Sequence, residues 1–230
     1  MKKVFLLVSI LLCLSLFLSA CDNGGSTTDS PDTPVALPPP EPDGGPFGVD
    51  VNINMSTIDD YLNRPDISYF DMRMFYDPAD FEAIGGDSTL SRTLPGYRIV
   101  PFPFLASLGP MPVDGAYDGD TLFYVEWGDN REIVVIRPNF AESQIIFEQI
   151  FPKDRTIFLM CGGAGYTSLM RALLFHFGYD ENKIYHTGGN WHYEGNMSLD
   201  LTISASDRNI ATWRANYAYI DFDHLTALAP

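Results

Sequence analysis

Apolar positions are packed most densely at Thr156-Ile157-Phe158-Leu159-Met160-Cys161, an unbroken run rich in β-branched and aromatic residues. A run this short and without alternation predicts a strand buried on both faces, as in a parallel sheet. Gly162-Gly163-Ala164-Gly165 then makes a turn, after which Leu169, Met170, Leu173, Leu174 and Phe177 recur at helical spacing. Thr167 or Ser168 is the expected N-cap of that helix, and Gly178 its stop. Cys161 thus falls where a buried strand ends and a glycine loop leads into a helix N-terminus.

The rest of the chain repeats the theme in weaker form. Val51-Asn52-Ile53-Asn54 alternates like a strand, and Ser56–Leu62 has the look of a short capped helix. Ile67–Arg73 predicts a second strand ending in charged residues, and Asp77–Ile84 a helix with proline where it is tolerated. Leu94-Pro95-Gly96-Tyr97 makes a turn into a short strand at Arg98-Ile99-Val100, and Pro110–Gly119 is loop. Thr121–Trp127 and Arg131–Ile136, joined through Gly128-Asp129-Asn130, predict a β-hairpin. Ala141–Ile150 has helical spacing, and Lys183–His186 is a short strand before Gly188-Gly189. Beyond Asn196, alternating Leu199, Leu201 and Ile203 and the aromatic residues Trp213, Tyr217 and Tyr219 predict a tail packed on the domain. Strands alternating with helices indicate an α/β domain with a mainly parallel sheet flanked by helices.

The N-terminus follows different rules. Lys2-Lys3 followed by the apolar run Val4–Leu18 is an export signal. Leu18-Ser19-Ala20-Cys21 resembles a bacterial lipobox, which implies cleavage before Cys21, diacylglycerol on its sulfur and an acyl group such as palmitate on its amine. The expected organisation is a signal peptide over 1–20, a flexible acidic Pro/Gly tether over 21–48, a domain over 49–195 and a C-terminal extension over 196–230. The expected location is the extracytoplasmic face of the cell membrane, held by lipid.

Charge and cysteine usage narrow the chemistry. A net charge of −16 with no basic run excludes nucleic acid as a partner. Cys13 leaves with the leader and Cys21 carries lipid, so Cys161 is the one free thiol of the mature chain. In an exported protein a leftover cysteine points to a reactive thiol or to intermolecular pairing. Inward-facing loop amides and a helix N-terminus stabilise a thiolate, which predicts a lowered pKa. The competing reading is a small apolar residue closing a strand. No histidine or cysteine spacing suits a metal, position 167 is Thr where a tyrosine-phosphatase loop needs Arg, and no Gly-Lys-Ser or Gly-Lys-Thr follows the glycines. Neither a metal nor a cofactor is expected. His176, His186 and His192 are expected to pack or face solvent.

Five pieces in order resemble the rhodanese-like (sulfurtransferase) domain. They are Asp71-Met72-Arg73, Leu94-Pro95-Gly96, Cys161 with its loop through Thr167, Gly178-Tyr179 with Ile184-Tyr185, and Gly188-Gly189-Asn190-Trp191. The likeness spans roughly Ile58 to Trp191, with the hairpin as an insertion over about 107–137. It implies a rhodanese-like fold in which Cys161 accepts sulfane sulfur as a persulfide and passes it to a thiol acceptor. Backbone N–H groups of Gly162, Gly163, Ala164, Gly165, Tyr166 and Thr167 would form the anion cradle, with Asp71 and Arg73 in support. The partners implied are a small sulfur donor and a thiol acceptor protein. The chain departs from the pattern at Thr93, where many members have histidine, at Ala164 in place of glycine, and at Tyr166, where sulfurtransferases often carry arginine. The alternative is a non-catalytic binding or regulatory module of the same fold. Oxidant sensing by Cys161 through a sulfenic acid is a third reading.

Overall fold

In the computed structural model, which describes residues 36–73, 92–107, 119–200, 218 and 220–229, the expected buried strand stands at the centre of the sheet. Three of the other strands are β1 (Ile67–Asp71), β2 (Arg92–Thr93) and β3 (Tyr97–Ile99). The hairpin is β4 (Phe123–Trp127) with β5 (Ile133–Pro138). The central strand is β6 (Thr156–Cys161), followed by β7 (Ile184–Gly189) and β8 (Leu199–Asp200). Helices are α1 (Phe102–Leu105), a single turn, α2 (Ser143–Ile150) and α3 (Gly165–His176). Four strands form a parallel sheet in the order β3-β1-β6-β7. The α/β class with a parallel sheet flanked by helices is therefore as expected.

Strand alternation divides the interior into two cores. Phe70, Ile157, Leu159 and Cys161 face α1, α2 and α3, where Phe102, Phe147, Leu169, Met170 and Leu173 meet them. Burying each such side chain contributes about 1.5–3 kcal/mol, which holds a sheet of only four strands. Tyr69, Phe158, Met160 and Tyr185 face the other way, onto Ile53, Met55, Ile58 and Leu94. No long helix covers this second face among the described residues. The segment from Ala36 to Leu62 does so, with a 3-10 turn at Ile58–Tyr61.

That covering corrects two expectations. Val51–Asn54 is a turn, because the buried Asp50 carboxylate accepts from the N–H of Asn52 and Ile53 at 2.9 and 2.7 Å, an Asx arrangement that competes with a strand. The expected tether does not run to position 48. From Ala36 onward the chain belongs to the same compact unit as the sheet. Leu37 packs in the second core, the Tyr185 hydroxyl donates to the Pro38 carbonyl, and the Glu41 N–H donates to Asp50 at 2.7 Å. Proline withholds an N–H but keeps its carbonyl, so a proline-rich segment can still be bonded down.

The hairpin forms as its turn residues dictate, with Gly128 N–H donating to Glu132 O at 2.9 Å. Phe123 and Val125 bury its inner face while Val134, on β5, is largely exposed. The C-terminal tail packs on the domain where it is described: Ala218 N–H donates to Ile99 O at 2.7 Å on the outer strand, and Ile220 is buried. The expected helix over 77–84, the loop over 110–118, and residues 201–217 and 219 of the tail pattern lie outside the described residues, as does the leader with Cys21.

Candidate functional site

The chain enters the sheet at β1, moves to β3 on one side, then crosses to β6 on the other. Such a reversal leaves a crevice at the carboxyl ends of the two strands, where open α/β sheets bind ligands. Here the strands in question end at Asp71 and Cys161.

The loop after Cys161 is shaped by close approach. A Cβ on Gly189 would stand 2.3 Å from the Gly162 carbonyl oxygen and 3.0 Å from Gly163 Cα. Only glycine lets β7 pass the loop at that distance. A Cβ on Gly162 would fall 2.7 Å from the Trp191 ring, and one on Gly163 3.0 Å from it. The indole thus lies against both glycines, 55 % exposed, and Trp191 N–H donates to Gly162 O at 3.2 Å. Ala164 then adopts φ +73°, a left-handed conformation rare for a residue with a Cβ.

That conformation has a clamp. The Ala164 carbonyl lies 3.1 Å from His186 Nε2, while Gly188 N–H donates to His186 Nδ1 at 3.1 Å. The second bond fixes Nδ1 as acceptor, so Nε2 carries the hydrogen and donates to Ala164. His186 is buried, and burial together with nearby Arg171 depresses its pKa to about 4. A bulge in β7 at Thr187 aims the ring at the loop. The expectation that His186 packs is met, in a role its position alone did not suggest. His176 and His192 are exposed.

The helix starts earlier than expected. Its first residue is Gly165 and Ala164 is the N-cap, so Thr167 and Ser168 lie inside the first turn. The reason is the loop itself: once Ala164 turns left-handed, the next residue can already be helical. Gly178 ends α3 as expected, with φ +75° and Tyr179 N–H donating to Leu174 O at 3.1 Å.

At the sulfur two opposing effects meet. The backbone N–H groups of Tyr166 and Thr167 are directed at it and favour the thiolate. The Thr167 hydroxyl, buried and with no other partner, favours the thiolate more than either amide does. Against them stands burial, since Cys161 is 2 % exposed and belongs to the packed core with Met72, Phe102, Leu169 and Met170. Burial prevails and pushes the thiol above the ordinary cysteine range, with the Asp71 carboxylate adding to the rise. The lowered pKa expected from the loop is not found. Met72 and Phe102 fill the crevice that the strand order would open, and Phe102 N–H donates to Met72 O at 3.0 Å. The Tyr166 ring stacks on Phe102 at 5.7 Å, which ties the loop to that plug.

Neither nearby arginine turns to the sulfur. Arg73 binds Asp71 through Nε at 2.9 Å and Nη2 at 2.6 Å, and also donates to Arg92 O. Thr93 donates to the same carboxylate at 3.0 Å and so serves this buried pair. Arg171 donates to Gly48 O at 2.7 Å. No cluster of three metal-ligating side chains occurs among the described residues, and none of their helices is long and apolar enough to cross a membrane.

Comparisons with protein-family models, with curated proteins and with solved structures returned no match.

Proposed function

We propose that this chain is a lipid-anchored, extracytoplasmic rhodanese-like module that binds a partner or ligand and does not turn over sulfur. The parallel sheet, the position of Cys161 and the Asp71–Arg73 pair support the rhodanese-like reading. The lipobox-like Leu18-Ser19-Ala20-Cys21 supports the anchor. One observation carries the non-catalytic reading: Cys161 is sealed in the core with its thiol held protonated. A nucleophile needs the thiolate and a path for its donor. The exposed Trp191 indole on the loop supplies the kind of surface that a peptide or neutral ligand would contact.

Sulfur transfer through a Cys161 persulfide keeps one observation of its own, the two amides aimed at the sulfur. A single experiment separates the readings. The alkylation rate of Cys161 is followed against pH, and the protein is then incubated with polysulfide beside an active sulfurtransferase. The binding module is expected to show a midpoint above the roughly 8.5 of free cysteine and no added sulfur by mass. A midpoint well below that value, with the mass of one sulfur gained on Cys161, would establish transfer instead.

A further inference from the structure

A second site lies away from the cysteine loop and shares no lining residue with it. Arg98 is the middle residue of β3, beside Phe70 of β1 in the parallel register, and both face α2. Between strands and helix is a cleft of about 320 Å³, lined by Arg98, Ser68, Phe70, Gln149, Ile150 and Pro152 among others. That is the small end of the range for ligand pockets, about 300–1,000 Å³.

The polar groups of this cleft include a donor that finds no acceptor. The Arg98 Nε–H is buried and meets no hydrogen-bond partner. Desolvation disfavours its charge. Ser68 Oγ accepts from Arg155 Nε at 2.9 Å, which leaves its own O–H to donate. Gln149 supplies a carboxamide at the rim. Among the described residues no aspartate or glutamate lines the cleft. A buried N–H without an acceptor, on a guanidinium that is half-buried as a whole, is completed by an anion. Phe70 beside Arg98, with Ile150 and Pro152 across from it, gives the cleft an apolar surface, which selects an anion with a hydrocarbon body.

We propose that the Arg98 cleft binds a small organic carboxylate, its two oxygens taken by the guanidinium and its apolar body laid on Phe70, Ile150 and Pro152. The fork of an arginine fits a carboxylate side-on, whereas lysine offers only a point charge.

The test uses the full chain labelled with 15N, titrated with sodium benzoate and separately with sodium sulfate at matched ionic strength. Benzoate is expected to move the Arg98 Nε–H resonance and the amides of Ser68 and Gly96 saturably, at concentrations where sulfate leaves them in place. Arg98→Met should abolish the response and Gln149→Ala should weaken it. If the methionine variant fails to fold, Arg98→Lys keeps the charge without the fork and should weaken binding about tenfold or more. The proposal is overturned by the absence of a saturable shift, by an equal response to sulfate, or by a response that survives loss of Arg98.

Discussion

Acid should loosen the cysteine loop through one side chain. His186 is neutral in the fold because Nδ1 accepts from Gly188 N–H and Nε2 donates to Ala164 O, in a buried setting. A proton on Nδ1 would face another N–H, so the clamp cannot be kept in the charged form. Its folded pKa is about 4 against an ordinary 6.5. Between those values the unfolded chain binds more protons than the folded one, so stability rises with pH. The contribution is complete above 6.5 and is lost as pH falls towards 4. At pH 4.5 the loss from this residue amounts to about 2.5 kcal/mol. With a urea m-value of about 2–3 kcal/mol per molar, the midpoint should drop by about 1 M through His186 alone. Other groups titrate over the same range, so the comparison is with His186→Gln. Glutamine can still donate to Ala164 O but strands the Gly188 N–H, which costs about 1–3 kcal/mol at pH 7. The variant should begin less stable and then lose about 2.5 kcal/mol less than wild type between pH 7 and 4.5. Equal losses in the two proteins would refute the clamp.

Two further substitutions test the packing around the site. Gly189→Ala puts a methyl 2.3 Å from a backbone oxygen that cannot swing aside, so the cost should reach the upper part of the roughly 1–3 kcal/mol range for overpacking. If 2–3 kcal/mol of it goes into opening the loop, Cys161 should alkylate about 30- to 150-fold faster, and an unchanged rate would show that β7 does not brace the loop. Asp71→Asn removes the buried carboxylate that Arg73 binds and should lower stability by about 3 kcal/mol in urea unfolding, since breaking a buried pair costs about 3–5 kcal/mol and Asn can still accept from Thr93. A loss under about 1 kcal/mol would mean that the pair behaves as a surface one.

What could be read from the chain follows from the range of the interactions involved. β1, β6 and the hairpin are written in local pattern, because burial on both faces demands continuous apolar runs and a tight turn demands residues such as Gly128-Asp129-Asn130. The single turn α1 has no such signature: four residues including Pro103 carry no helical period, and its start is set by Phe102 bonding to the end of β1. Val51–Asn54 misleads because alternation reports exposure alone, while the Asp50 carboxylate decides the backbone. Residues 36–48 mislead for a related reason. Their composition resembles a linker, yet Pro38 is held by Tyr185, far along the chain. Arg98, flanked by buried Tyr97 and Ile99, follows the pattern of an outward-facing strand residue, and only the packing of α2 turns that outward face into a cleft.

The cysteine marks the boundary between local and global information most clearly. Its place at a strand end before a glycine loop was legible; of the six amides expected around it, those of Tyr166 and Thr167 act on the sulfur. Those features act on a thiolate through about half a unit charge at a helix terminus. Burial acts on the same thiolate with the opposite sign, and it comes from the core that Cys161 shares with Met72, which follows β1, and Phe102 of α1. Tyr166 joins the two: where sulfurtransferases often carry a cation, this chain carries a ring stacked on Phe102. A ring at this place offers a thiolate no counter-charge and adds weight to the plug, and both favour the neutral thiol. A loop can keep the outline of an anion cradle while its surroundings hold the sulfur protonated.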